Sequence, residues 1–115
     1  MQWTRNELID FTLKQCQGYL DHPFNGEHSP EKMIWSVIKQ QSNQKMIAMI
    51  FEKAGHLLID LKLEPEHGQE MRDLDGVYPG YHMNKKHWNT VDVNRTEVSQ
   101  TELANMIQES AKLTE

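Results

Sequence analysis

Twelve consecutive residues, Gly80-Tyr81-His82-Met83-Asn84-Lys85-Lys86-His87-Trp88-Asn89-Thr90-Val91, hold two histidines, two lysines, two asparagines, a tyrosine and a tryptophan. Side chains of these types suit a polyanion or a planar base: ammonium groups pair with phosphate, amides read base edges and aromatic rings stack. On that reading Lys85 and Lys86 are phosphate contacts, His82, Asn84, His87 and Asn89 are polar readers, and Trp88 offers a ring. The same run also has a purely structural reading, in which Tyr81 and Trp88 anchor a core, Asn84 shapes a turn and the lysines are solvated. A third arrangement is a pocket lined by Tyr81, His82, Lys85 and Trp88 and bordered by Trp35, where the lysine meets the carboxylate or phosphate of a small molecule or a partner protein.

Other chemistries fit the residues less well. A His82/His87 metal pair needs a third ligand such as His56 or Asp92, and its spacing lacks the helical i,i+4 geometry of a histidine metal motif. Cys16 falls on the apolar stripe of a predicted helix, where a thiol is structural, and a lone cysteine forms no internal disulfide. Glu66, Glu70, Asp73 and Asp75 have the spacing of a solvated helix face. The sequence contains no G-x-x-x-x-G-K phosphate loop, and no set of nucleophile, base and orienting group assembles. The chain therefore reads as a non-enzymatic module without cofactor or metal.

The elements that must position the run follow from patterning. Thr4 and Glu7 form a capping box ahead of Leu8, Phe11, Leu13 and Cys16, which predicts a helix over residues 4–17 ended by Gly18. Residues 18–30, rich in Gly, Pro, Asn, Asp and Ser, read as an ordered loop. Residues 32–39 and 45–53 read as strands, the second with the unbroken apolar run Met46-Ile47-Ala48-Met49-Ile50-Phe51 of a strand covered on both faces. In residues 56–62, Leu57, Ile59 and Leu61 alternate with Asp60 and Lys62, the pattern of a half-buried strand with the polar residues outward. Pro65 and its flanking glutamates start a second helix running to about Leu74. Residues 88–93 read as a further strand, and Ser99 with Glu102 caps a last helix carrying Leu103, Met106, Ile107, Ala111 and Leu113.

The result is an α+β domain over residues 1–115, one antiparallel sheet with helices packed on one face in the order α-β-β-β-α-β-α. At 115 residues the chain suffices for one such unit and is short for two. The formal net charge of −5 opposes a surface that grips polyanion everywhere. The charge is uneven, however: residues 31–62 carry an excess of two positive charges and residues 81–92 an excess of one, so one face can be basic on an acidic protein. No signal peptide and no apolar run of membrane-spanning length are present, which makes the cytoplasm the expected compartment.

The stretch Pro79-Gly80-Tyr81-His82-Met83-Asn84-Lys85-Lys86-His87-Trp88-Asn89-Thr90-Val91 resembles the signature of the MmcQ/YjbR family of small bacterial proteins. Residues 4–113 share the likeness, through Pro23-Phe24, the Met46–Phe51 strand, Leu61-Lys62 followed by Pro65-Glu66, and the capped last helix. The link from Gln40 to Gln44 departs from it, being longer than that family's tight glycine hairpin. The resemblance implies a CyaY-like α+β fold and a DNA-binding label that rests on the shape of a double-wing arrangement. DNA is the first expected partner, with a protein or an anionic small molecule as the alternative and no membrane.

Overall fold

A computed structural model describes residues 2–22, 34–81 and 83–115. His82, and the Pro23-Phe24 part of the family likeness, lie outside the described residues.

The chain order is α1 (Arg5–Cys16), β1 (Tyr19–Asp21), β2 (Ser36–Lys39), β3 (Met46–Lys53), β4 (His56–Lys62), α2 (Pro65–Met71), β5 (Val77–Pro79), β6 (Trp88–Asp92) and α3 (Gln100–Leu113). The strands form one antiparallel sheet in the order β1-β2-β3-β4-β6-β5. The α+β reading holds, with two short edge strands beyond it: β1, inside the segment read as a loop, and β5, which patterning does not mark. Each has three residues, too few for a period, and lies among turn-forming types, so only the backbone ladder to β2 or β6 defines it.

Both long helices begin as their sequences dictate. Thr4 Oγ1 accepts from the Glu7 amide at 3.2 Å while the Glu7 carboxylate accepts from the Thr4 amide at 3.1 Å, and Ser99 with Glu102 repeats the device. The end of α1 differs from expectation. Gln17, at φ 55°, takes the left-handed position, and Gly18 serves another purpose: a Cβ there would lie 2.5 Å from the Lys39 carbonyl oxygen. Helix α2 stops at Met71, three residues before Leu74. The described part of the 32–39 segment becomes strand only from Ser36.

Leu8 and Ile9 of α1 and Leu103, Met106 and Ile107 of α3 pack on Ile38, Ile50, Ile59, Leu61 and Val91, with Met71 of α2 joining the same core. A bulge in β3, where Ile38 faces Ala48 but Lys39 faces Met46, turns Ile47 into this core as well. The opposite face carries its own smaller cluster of Trp35, Val37, Met49 and Phe51, covered in part by Tyr81 and Met83. That second cluster overturns one expectation: Asp60, placed outward by alternation, is fully buried. Leu58, Asp60 and Lys62 do face away from the helices, but Tyr81 and Met83 pack over that side.

Candidate functional site

Site geometry on the sheet face

The pairings Leu58↔Asp92, Asp60↔Thr90 and Lys62↔Trp88 put these side chains on the helix-free face of the sheet. Thr90 Oγ1 donates to Asp60 Oδ1 and accepts from the Tyr81 amide at 2.9 Å, so the buried carboxylate, the strand and the start of the 80–87 segment are tied through one hydroxyl. Burial pushes the Asp60 carboxyl up to about 7, against the pull of the Thr90 hydrogen bond and the Lys85 charge. Beside it, Asp92 is 5% exposed; its Oδ2 accepts from His56 Nδ1 at 2.6 Å. Arg95 Nη1 lies 2.5 and 2.6 Å from the two ring nitrogens of His56. Asp60 Oδ2 and Asp92 Oδ1 are buried with no hydrogen-bond partner among the described residues.

Over these groups the face opens into a depression of about 340 Å³, floored by Leu58, Thr90 and Asp92 and walled by Tyr78 and Tyr81. Tyr78 is 54% exposed. Tyr81 stacks on Phe51 with ring centroids 5.8 Å apart, and Lys53 Nζ sits 3.8 Å from the centre of the Tyr81 ring, a cation held at the rim by the ring's negative face. The lining is mostly apolar and aromatic with a few fixed polar groups, which suits a flat ring better than an extended polyanion.

Placement of the sequence-predicted residues

The sequence-predicted residues divide into exposed and buried sets. Asn84 Oδ1 accepts from the Lys86 amide at 2.9 Å, so Asn84 shapes the turn that presents Lys85 and Lys86. Lys86 is exposed; Lys85 folds back so that its Nζ donates to the Gly80 carbonyl at 3.1 Å. His87 is half-buried, and its carbonyl accepts from the Leu63 amide at 2.8 Å. Trp88 and Asn89 are buried, so as readers at the surface they are withdrawn: Trp88 is 9% exposed and Asn89 fully enclosed against Gly68 on the helix side of the sheet. Neither Trp88 nor Trp35 lines the depression, which Tyr81 borders with residues from the β3–β4 hairpin instead.

Sequence reasoning missed Arg72 and Lys53, and it named His56 and Asp92 only as possible metal ligands. Arg72 clamps the run from behind: its Nε donates to Asn89 Oδ1 at 2.7 Å and its Nη2 to the Lys85 and Trp88 carbonyls. Lys53, His56 and Asp92 come together only through the β3–β4 and β4–β6 pairings, and no local pattern announces them. Among the described residues no three His, Cys, Asp or Glu side chains gather as a metal-binding group. Nor is any described helix long and apolar enough to cross a membrane.

Comparison with known proteins

Fold and site thus define a small α+β protein with a six-stranded antiparallel sheet, helices on one face and a tyrosine-walled depression on the other. The chain belongs to the YjbR family, whose model matches residues 13–113. It is 34% identical to an uncharacterized Bacillus subtilis protein, YyaQ, over 96% of this chain and 98% of that one. A crystal structure of a Pseudomonas syringae protein superposes with a TM-score of 0.80 at 31% identity, covering 98% of this chain and all of the other. A Deinococcus radiodurans protein, DR2400, does so with a TM-score of 0.71 at 26% identity, over 96% of this chain and 77% of that one.

Proposed function

We propose that this protein is a non-enzymatic binding module for single-stranded nucleic acid, DNA in the first place, engaged through the sheet face and the 84–87 turn. The observation that carries the reading is the tyrosine-walled depression with Lys53 on its rim, beside a turn that presents Lys85 and Lys86. An unstacked base enters the depression and covers Tyr78, while the lysines meet phosphates. The acidic total of −5 and the Asp92 carboxylate in the floor oppose a duplex laid flat across the sheet, and they restrict binding to a few phosphate contacts and one inserted ring.

The volume of about 340 Å³ also favours a second reading, capture of a free anionic small molecule or of a side chain of a partner protein. One experiment separates them. Amide shifts are followed while oligonucleotides, nucleoside monophosphates and a metabolite library are titrated at low salt. Shifts at Lys53, Tyr78, Tyr81 and residues 84–87 with oligonucleotides, much weaker with the monophosphates, are the expected result; response to a metabolite alone supports the second reading, and silence with every oligonucleotide rejects the first.

A further inference from the structure

The helix-free face carries positive charge at both ends of β4. At the far end the Leu63 amide donates to the His87 carbonyl at 2.8 Å, which sets the 84–87 turn and its exposed Lys86 beside the residue that follows the strand. At the hairpin end Lys53 pairs with His56, and the period of two puts both side chains on the face of Leu58, Asp60 and Thr90. Arg95 joins them from the turn after β6. Its amide donates to the Asp92 carbonyl at 2.9 Å, and its Nη1 lies 2.5 and 2.6 Å from the two ring nitrogens of His56. Gly76 fixes that turn from behind, since a Cβ there would lie 2.5 Å from the Arg95 carbonyl oxygen. Lys53 and Arg95 are both exposed, and among the described residues neither forms an ion pair with a carboxylate. Lys53 is held instead 3.8 Å from the centre of the Tyr81 ring, which places the ammonium and leaves its charge uncompensated. The acid of this end, Asp92, is buried and bonded to His56. An ammonium and a guanidinium flanking one histidine, each on fixed backbone, are donors that suit phosphate oxygens.

Resting on the nucleic-acid reading above, we infer that Lys53 and Arg95 form a second phosphate-contact point at the hairpin end, flanking the base in the depression, from which a longer strand runs along β4 to Lys86. The extended chain from His56 to Leu63 spans about 23 Å at roughly 3.3 Å per residue. At about 3.4 Å for each stacked nucleotide, a strand of about seven joins the two ends, whereas a trinucleotide reaches only one. The depression lies at the hairpin end, lined by Lys53, Ala54 and His56, so a trinucleotide that puts a base there leaves Lys86 untouched.

The test measures the salt dependence of binding for oligo-dT of twelve nucleotides, by fluorescence anisotropy, and of three, by amide shifts, which register weak binding. The proteins are the natural chain, Lys86→Ala, and Lys53→Gln combined with Arg95→Gln. With the twelve-mer, the hairpin-end variant is expected to lower the slope of log affinity against log salt by about 1.4 and Lys86→Ala by about 0.7. With the trinucleotide only the hairpin-end variant lowers it. The slope counts charges, so a wall loosened by loss of the Lys53–Tyr81 contact weakens binding at every salt concentration and leaves the slope as it is. The natural protein gives a measure free of any variant's folding: its slope is larger with the twelve-mer than with the trinucleotide. Equal slopes for the two lengths overturn the inference, as does a natural slope in the hairpin-end variant with the twelve-mer; either result leaves nucleic-acid binding through the turn and the depression standing. Lys86→Ala lowering the slope with the trinucleotide, or a trinucleotide that shifts no amide of residues 53–56 and 95, equally overturns it. No binding of the twelve-mer rejects the underlying reading itself.

Discussion

Thr90 donates its hydroxyl proton to the buried carboxylate of Asp60 directly across the β4–β6 pair and takes the Tyr81 amide proton in return. A single side chain thereby links an ionisable group in the sheet to the wall of the depression. The geometry also explains why a carboxylate is tolerated there: protonated, Asp60 brings no charge into the sheet, and ionised, it has the Thr90 hydroxyl and the Lys85 charge in support.

That burial makes stability depend on pH with a defined sign. The Asp60 carboxyl rises from 3.8 to about 7 on folding, so between those values the folded protein keeps a proton that the unfolded chain has lost. Stability from this group is complete below pH 3.8 and is lost as pH rises through 7. The full interval is worth on the order of 4 kcal/mol. Asp60→Asn, which keeps an acceptor for Thr90, is expected to be more stable than the natural protein at pH 8 by more than about 1 kcal/mol, with the gain vanishing near pH 4. Urea unfolding at both pH values measures it, and a difference independent of pH contradicts the assignment.

Arg72 is the keystone of the 84–89 run, with three acceptors on one guanidinium. Arg72→Ala leaves the enclosed Asn89 side-chain carbonyl and the Lys85 carbonyl short of a donor, while the Trp88 carbonyl keeps the Gly80 amide. The expected loss is about 2–3 kcal/mol, read as a fall in Tm of roughly 10 °C. Lysine should rescue little, since one ammonium cannot reproduce the fork. Full stability in Arg72→Ala refutes the role.

The β3–β4 hairpin turns on Ala54 and Gly55, both with positive φ, at 52° and 79°. Two left-handed residues match the tight hairpin turn that favours Asn-Gly, and alanine there is disfavoured by about 1 kcal/mol. Ala54→Asn is expected to raise stability by about that amount without disturbing the sheet, which thermal unfolding would detect. Ala54 also borders the depression, so the same variant reports whether its rim tolerates a larger side chain.

How much of this could be read in the sequence depends on which residues carried a local signal. The capping boxes at Thr4 and Ser99 and the apolar runs of β3 and α3 are local, and they emerged where patterning put them. Asp60 misled because alternation reports which side of a strand a residue faces, not whether that side is covered. The cover is Tyr81 with Met83, brought over by the Thr90–Tyr81 hydrogen bond across nine positions. Asn89 misled for a related reason: its amide looks like a reader of bases, yet its place opposite Leu61 sends it beneath α2, against Gly68. The Lys53–Tyr81 and His56–Asp92 contacts span 28 and 36 positions, and they exist only once the strand register is set.

The two lysines of the turn differ in a way that the salt dependence of binding can expose. Lys86 is exposed, and the turn that carries it is held by Asn84, so Lys86→Ala removes a charge and nothing else. Lys85 holds the Gly80 carbonyl, whose residue packs so closely on Trp88 that a Cβ would lie 2.7 Å from the Trp88 Cβ. Lys85→Ala therefore removes a phosphate contact and also loosens the segment carrying Tyr81. For a single strand each phosphate contact contributes about 0.7 to the slope of log affinity against log salt. Lys86→Ala should lower the slope by about that amount with unchanged stability, and the double variant should lower it by about 1.4. Lys85→Ala alone should also weaken binding at high salt, where the electrostatic contribution is screened, because the wall of the depression is less fixed. Identical slopes for the natural protein and the double variant would remove the turn from the binding surface and leave the depression as the whole of the site.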